Sequence, residues 1–386
     1  MPTITGIFAT FLHLGCTAFG GLAMIEPMRR RLVQEKGWLS QQEFMDGVAL
    51  CQVIPGATVV QLATYVGQRL RGPAGALAGA AGFILPAFVF MTTLTWLYVR
   101  YGHLVWVKSL SQGLNAAVIA LLLQALWRLG RGAWRSWLDL TLAVLTFGAL
   151  WLRWDYLAVF LGAGVVRLCL KPREGAVTPA PDSGPAAAGM RREIAVLLAV
   201  LVMAGAAWAA CRVWQPVLAQ LAGLMAKVGV ISFGGGYVMI PVLQWEVVER
   251  LRWLTLPQFL DGILLSYVTP GPLIILAAFT GFLVQGLKGA AVATTAIFLP
   301  PILIVVGLTP LYQQVKSAWW MRPLIQGVLA ALLGMLALAI WQMALVTLTG
   351  IKTWALMLGA AVSLVVFEVN LLWVIAAVAA LSLWLF

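Results

Sequence analysis

The residues best suited to chemistry in this 386-residue chain come in matched pairs. His13 and Lys227 are basic groups inside apolar runs, and each lies seven residues before a glycine pair, Gly20-Gly21 and Gly234-Gly235. Seven residues is almost two helical turns, so the basic group and the first glycine would share a helix face about 10 Å apart. An ionisable group at membrane depth is a functional candidate by default, although a lysine there can also snorkel to the interface. Lysine would offer a fixed positive charge, and histidine one that titrates near neutral pH. Asp46 and Asp261 are the acidic residues that the two regions share, each nine residues before a proline, Pro55 and Pro270. They are candidates for carrying a coupling proton, with wet helix-surface residues as the plainer alternative.

The prolines open Pro-Gly breaks, Pro55-Gly56 and Pro270-Gly271-Pro272. Proline removes a backbone donor and clashes with the preceding turn, so a helix must stop there. Beyond each break a new half-helix is expected, Ala57–Gln68 and Leu273–Phe282. Its free N–H groups and positive dipole end would favour an anion without a full charge. Broken segments in matching positions of two repeats mark substrate sites in many carriers; a packing kink is the alternative. Phe19-Gly20-Gly21 and Phe233-Gly234-Gly235-Gly236-Tyr237 permit close backbone approach, to a helix or to a ligand. Neither is a nucleotide loop, since no Lys-Ser/Thr follows. Gln52, Thr58, Gln61, Tyr65, Gln112, Ser266, Tyr267, Thr269 and Gln326 add uncharged polar groups near the breaks.

The elements that position these residues must be membrane helices. The chain is 62% hydrophobic and 10% charged, with a mean hydropathy of +0.96, which excludes a soluble domain with a polar surface. Its net charge of +12 lies in short loops between apolar runs, so it sets orientation and does not point to nucleic acid. Cys16, Cys51, Cys169 and Cys211 are scattered, without metal or disulfide spacing, and read as packing residues. No cofactor or metal is implied, and the first apolar run lacks the marks of a cleavable signal peptide. Apolar runs long enough to matter in a bilayer occur as Ile4–Ala23, Phe44–Gln68, Ala74–Val99, Leu104–Leu126, Trp137–Leu152 and Tyr156–Leu170. After a polar linker, 171–193, expected to be cytoplasmic, and an additional apolar helix, 194–216, six more follow. They are Val217–Ile240, Phe259–Phe282, Ala290–Leu311, Leu324–Ala344, Trp354–Phe367 and Leu371–Phe386.

Sliding the chain against itself by 214 or 215 positions superposes Phe19-Gly20-Gly21 on Phe233-Gly234-Gly235, Pro27 on Pro241, Trp38 on Trp253 and Asp46-Gly47 on Asp261-Gly262. The same shift superposes Pro55-Gly56 on Pro270-Gly271, Pro86 on Pro300, Gln112-Gly113 on Gln326-Gly327 and Trp127 on Trp341. The expected architecture is therefore all-α: a polytopic membrane protein of two homologous repeats, 1–170 and 217–386. It would hold about 10 to 13 membrane segments, including re-entrant or broken helices. Ser40-x-x-Glu43 and Thr255-x-x-Gln258 are capping boxes that start the broken segments. If the first of these is re-entrant and the N-terminus lies outside, Arg29–Lys36, Arg69, Arg71, Arg128–Arg135 and Arg167–Arg192 fall inside, with only Arg100, Lys108 and Arg153 outside. A spanning segment loses that bias, so the positive-inside rule favours a hairpin. On this count of five crossings per half, a spanning Ile194–Trp214 would make the halves parallel and a non-spanning one would make them inverted.

Phe19-Gly20-Gly21, the run Leu50-Cys51-Gln52-Val53-Ile54-Pro55-Gly56, Phe233-Gly234-Gly235-Gly236-Tyr237 with Pro241, and Thr269-Pro270-Gly271-Pro272 together resemble the chromate ion transporter family in its long form of two fused halves. The resemblance covers nearly the whole chain. It implies a multi-pass secondary carrier of the bacterial inner membrane that exports chromate, driven by the proton gradient, with halves of opposite orientation. Its partners would be a small inorganic anion, the lipid bilayer and possible homodimer contacts, with no nucleic acid. The chain departs from the family where Leu22 and Ile25 replace a proline and a histidine. On the residues alone, a sulfate-like oxyanion carrier or a channel stays open. A membrane-embedded enzyme is the contrasting reading, disfavoured because no H-E-x-x-H, G-x-S-x-G or paired-thiol motif is present.

Overall fold

The computed structural model describes residues 2–17, 24–133, 136–170, 200, 202–206, 208–209, 211–232, 236–309 and 321–386. Within them the first repeat folds as α1 (Ile4–Thr17), α2 (Ile25–Arg29, continued by a π-helical turn Arg30–Glu35) and α3 (Gln41–Val53). It continues as α4 (Thr58–Tyr101), α5 (Val105–Ala133), α6 (Trp137–Trp151) and α7 (Tyr156–Leu170). The second repeat reproduces this order. Its helices are α8 (Pro216–Ile231), α9 (Met239–Gln244, continued by a π-helical turn Trp245–Arg250), α10 (Leu256–Val268), α11 (Leu276–Leu308), α12 (Met321–Thr347), α13 (Ile351–Val365) and α14 (Leu371–Leu385). Even the π-helical turns recur at the offset of the sequence repeat. The expected capping box at Ser40 is formed, with Ser40 Oγ accepting from the Glu43 N–H at 3.2 Å.

Two compact units arise, and each draws on both repeats. The first comprises Met1–Thr93, Gly175–Met239 and Thr269–Ala318; the second comprises Leu94–Glu174, Ile240–Val268 and Trp319–Phe386.

In the first unit the long α4 is two helices. Arg71 (φ −145°) and Gly72 (φ +62°) break it, and Gly67 packs on Gly75 while Gly79 packs on Ala63, so arms 58–70 and 73–101 run antiparallel. The break in α11 at Gln285 and Gly286 and the Gly281–Gly289 contact repeat the arrangement. Upstream, α3 also folds back on the 58–70 arm. Gly47 lies against the Tyr65 ring, and Arg69 pairs with Glu43 at 3.1 Å. The favoured hairpin is thus the observed one, with Ile54–Ala57 at its tip. Its 13-residue α3 is about 20 Å long, too short to cross a core of about 30 Å.

One expectation needs correcting. As a crossing, Ile4–Ala23 would leave the N-terminus on the opposite side from Arg71. Instead, Arg71 Nε donates to the Pro2 carbonyl at 2.7 Å. Helix α1 then runs alongside the 73–101 arm in the same direction, Gly82 against Phe8 and Gly15 against Phe83. Pro2 and the 71–72 turn therefore share one end of the unit. The described part of that run, α1, has 14 residues and is about 21 Å long.

In the second unit the repeats exchange partners. Helix α5 packs on α13 and α14, and its counterpart α12 packs on α6 and α7. Gly113 of α5 meets Ser382 and Leu356, and Gln124 Nε2 donates to the Leu364 carbonyl at 2.8 Å, so α5 and α13 run in the same direction. Gly327 meets Ala163 of α7 and Gly334 meets Ala143 of α6, and Arg167 reaches both Asp139 at the start of α6 and Gln326 at the start of α12, so α12 runs along α6 in the same direction. A buried ion pair, Arg167 to Asp139 at 2.8 Å, ties the end of α7 to the start of α6. The outer faces of these terminal helices are apolar: Trp137, Leu145, Leu161, Leu358, Trp373 and Trp384 are all exposed, as side chains facing lipid would be. Four helices among the described residues are long and apolar enough to cross a membrane. The described residues from 200 to 214 are helical, and Trp208 Nε1 donates to the Ala219 carbonyl at 2.9 Å.

Candidate functional site

Both Pro-Gly breaks belong to the first unit, and there they are related by exchange. Gly56 (φ +134°) sits against Pro301 of α11, and Gly271 (φ +116°) sits against Ala87 of α4. Pro301 and Ala87 are repeat equivalents, so each break is seated on the long helix of the other half. Both glycines hold backbone conformations that side-chain-bearing residues avoid, and a Cβ would come 2.5 Å from Pro301 Cβ at Gly56 and 2.6 Å from Ala87 Cβ at Gly271.

The first break carries more unused polarity. The Gly56 N–H donates to the Ser232 carbonyl, which fixes the end of α8 to the hairpin tip. Gln61 Nε2 donates to the Pro55 carbonyl at 2.6 Å and so closes the gap that the proline leaves. Helix α4 then starts at Thr58, and the N–H groups of Thr58, Val59 and Val60 have no carbonyl one turn earlier in a helix to receive them. These three residues are buried, as are Gln61 and Ser232. Ser232 Oγ and Gln61 Oε1 have no hydrogen-bond partner among the described residues. A buried polar atom left unpaired costs about 1–3 kcal/mol, so the group is poised for a polar guest.

The second break differs from the expected half-helix at Leu273. A 3-10 turn, Leu273–Ile275, comes first, with the Ile275 N–H bonded to the Pro272 carbonyl, and the α-helix begins only at Leu276. Fewer donors are left over. Thr269 is buried, with its hydroxyl 3.8 Å from Met91 sulfur, and Gly236 packs on Leu273, bringing the tail of the Phe-Gly-Gly-Gly-Tyr run to this break. Tyr237 is half-buried beside it in sequence.

Other candidate residues are dispersed. Gln52 and His13 are exposed, and Lys227 is half-buried on α8. Helix α8 ends at Ile231 and Ser232 is extended (ψ 92°), so the helical spacing expected from Lys227 to Gly234 is broken before the glycine is reached. Phe19, Gly20, Gly21, Phe233, Gly234 and Gly235 lie outside the described residues. The two aspartates part company. Asp46 is half-buried and, among the described residues, receives only Gln42, at 3.3 Å. Asp261, in the second unit, is 7% exposed and accepts from Tyr98 Oη at 2.9 Å and Asn115 Nδ2 at 3.1 Å. Sequence reasoning missed Ser232, whose repeat equivalent is Ala18, and the pairing of the breaks with Pro301 and Ala87. The shared Pro86 and Pro300 were the available signal for the latter.

Two repeats of apolar helices, each with a re-entrant or broken segment, define a polytopic membrane protein. The chain belongs to the chromate transporter family, whose model matches residues 5–168 and again 219–383. It is 32% identical to the chromate transport protein of Cupriavidus metallidurans over 365 residues, covering 91% of this chain and 85% of that one. To the chromate transport protein of Pseudomonas aeruginosa it is 33% identical over 348 residues, covering 88% and 81%. An uncharacterized transporter of Methanocaldococcus jannaschii is 31% identical over 348 residues, covering 87% and 83%. No solved structure matches the chain. Family membership makes this a multi-pass membrane transporter with a small anion as substrate.

Proposed function

We propose that the protein exports chromate, or a related tetrahedral oxyanion such as sulfate, across the cytoplasmic membrane of a bacterium by proton-coupled antiport. The observation that carries the anion site is the first break: buried N–H groups at the start of α4 beside the unpartnered Ser232 hydroxyl. Donors held in a dry site bind an oxyanion without reorganising. The site comprises Pro55, Gly56, Thr58 and Ser232, with Thr269, Pro270, Gly271, Gly236 and Tyr237 lining the second break. Lys227 contributes long-range positive charge, and Gln52, being exposed, stands at the approach. Asp261 is the stronger of the coupling candidates. It is a buried carboxylate held by neutral donors, so its charge changes outright when a proton arrives, whereas Asp46 is only half-buried and His13 is exposed.

The halves are taken as inverted. Because Pro2 and the 71–72 turn share an end, α1 to the first arm of α4 return the chain to its starting side. The 73–101 arm, α5, α6 and α7 then cross an even number of times, and a spanning 194–214 segment starts the second half from the opposite side. The pairing of α5 with α13 and of α12 with α6 supports the same reading, since short turns reverse the chain between consecutive helices.

The deciding experiment is uptake of labelled chromate into everted vesicles with and without an imposed proton gradient. Gradient-dependent uptake is expected, lowered several-fold in apparent affinity by Lys227→Met. No gradient dependence would remove the antiport reading, and equal competition by sulfate would make the carrier a general oxyanion transporter.

A further inference from the structure

A second polar site lies in the second unit, away from both breaks in sequence. A cavity of about 390 Å³ is lined by Arg153 from the turn between α6 and α7, Glu249 and Arg252 from the end of α9, Trp253, and Thr255 with Gln258 at the start of α10. Neither arginine has an ion-pair partner among the described residues, while the neighbouring Arg250 is committed to buried Glu246. Glu249 is the one acidic residue on the wall, so two free guanidinium groups leave the cavity net positive. Thr255 and Gln258 are occupied with each other, the Thr255 N–H donating to Gln258 Oε1 at 2.9 Å, so anion affinity must come from the arginines.

Repeat symmetry does not impose this charge. The positions equivalent to Arg153 and Arg252 are Glu368 and Gly37, and all four residues have positive φ: 66° and 52° for the arginines, 50° and 58° for their counterparts. The backbone turn is common to both halves, and only here does it carry two arginines. The rim fixes the depth. Trp151, Leu152 and Trp154 around Arg153 are 54%, 69% and 63% exposed, an aromatic and apolar collar of the kind found at the headgroup level of a bilayer. A cavity this size exceeds about ten water volumes of ~30 Å³, more than a small inorganic oxyanion needs.

We propose that this cavity binds the phosphate headgroup of an anionic phospholipid, with Arg153 and Arg252 on the phosphodiester and the acyl chains leaving over Leu152 and Trp154. Guanidinium forks match phosphate geometry, and basic pockets between membrane helices bind such headgroups.

The test is native mass spectrometry of the purified full-length protein after delipidation, titrated with phosphatidylglycerol and with phosphatidylcholine. The expected result is at least five-fold preference for phosphatidylglycerol, abolished by Arg153→Gln with Arg252→Gln and partly kept by the paired lysine substitutions. Arg131→Gln, elsewhere on the basic surface, should leave the preference intact. Equal retention of the two lipids by the unmodified protein overturns the proposal, and so does an unchanged preference in the glutamine pair. Inorganic phosphate or chromate that displaces the lipid stoichiometrically at low millimolar concentration would assign the site to a free anion instead. Should the glutamine pair not fold, the wild-type titration and the lysine pair decide the matter.

Discussion

Substituting Gly56 by alanine tests the claim that the two halves are locked together at their breaks. At φ +134° an L-residue is strained, which costs about 1–3 kcal/mol. Its Cβ would also stand 2.5 Å from Pro301 Cβ and 2.7 Å from Gln61 Nε2, where normal contact requires well over 3 Å. Overpacking of this kind costs a further ~1–3 kcal/mol, so the sum is roughly 2–6 kcal/mol, at the top of what single substitutions do. Gly72→Ala is the control: it too has positive φ, at +62°, but nothing lies within 4 Å of the new methyl group, so only about 1–2 kcal/mol of backbone cost remains. Thermal unfolding in detergent, followed by loss of monodispersity, should place Gly56→Ala well below Gly72→Ala, with Gly271→Ala beside the former because of Ala87. Chromate transport should fall in the same order. If Gly56→Ala and Gly72→Ala unfold within a degree of each other, the seating of Gly56 on the other half's helix is wrong.

The remaining predictions concern single groups. Ser232→Ala should weaken chromate affinity at least about 10-fold, in line with one lost hydrogen bond to a charged group of ~1.5–3 kcal/mol, without changing protein yield; unchanged affinity in a transport titration would remove Ser232 from the site. Asp261→Asn should abolish gradient-driven accumulation yet permit exchange of labelled for unlabelled chromate down its gradient, and retained accumulation would exclude Asp261 as the coupling group. Arg167→Met should destabilise strongly, by about 3–5 kcal/mol, because it strands Asp139, which is 1% exposed. Adding Asp139→Leu to that variant should recover much of the loss in apparent Tm, since the uncompensated charge is then gone.

How much of this was legible in the sequence depends on scale. The repeat was fully legible, because Gly, Pro and Trp mark backbone breaks and interfaces that any sequence shift reveals. Capping boxes at Ser40 and Thr255 and the proline stops at Pro55 and Pro270 located the arms before each break to within a residue or two, while the α-helix after the second break starts three residues later than expected. What the sequence could not express is which half supplies the neighbour. Gly56 against Pro301, and α5 against α13 and α14, are long-range choices with no local signature. The crossing assigned to Ile4–Ala23 failed for a related reason: hydropathy reports that a segment is buried in apolar surroundings, while Arg71 at the Pro2 carbonyl decides whether it passes through. The candidate site shows the same limit. Asp46 and Asp261 are identical by motif, yet Tyr98 and Asn115 reach only Asp261, and the position equivalent to Asn115 is Leu329.

The exchange of partners in the second unit has a consequence for biosynthesis. When residues up to 170 have left the ribosome, α5 has none of the helices it will finally rest on, since α13 and α14 are encoded at the far end of the chain. The first half must therefore wait in the membrane with its inner faces bare until the second has been inserted. Two separately expressed halves should consequently assemble with each other rather than fold alone.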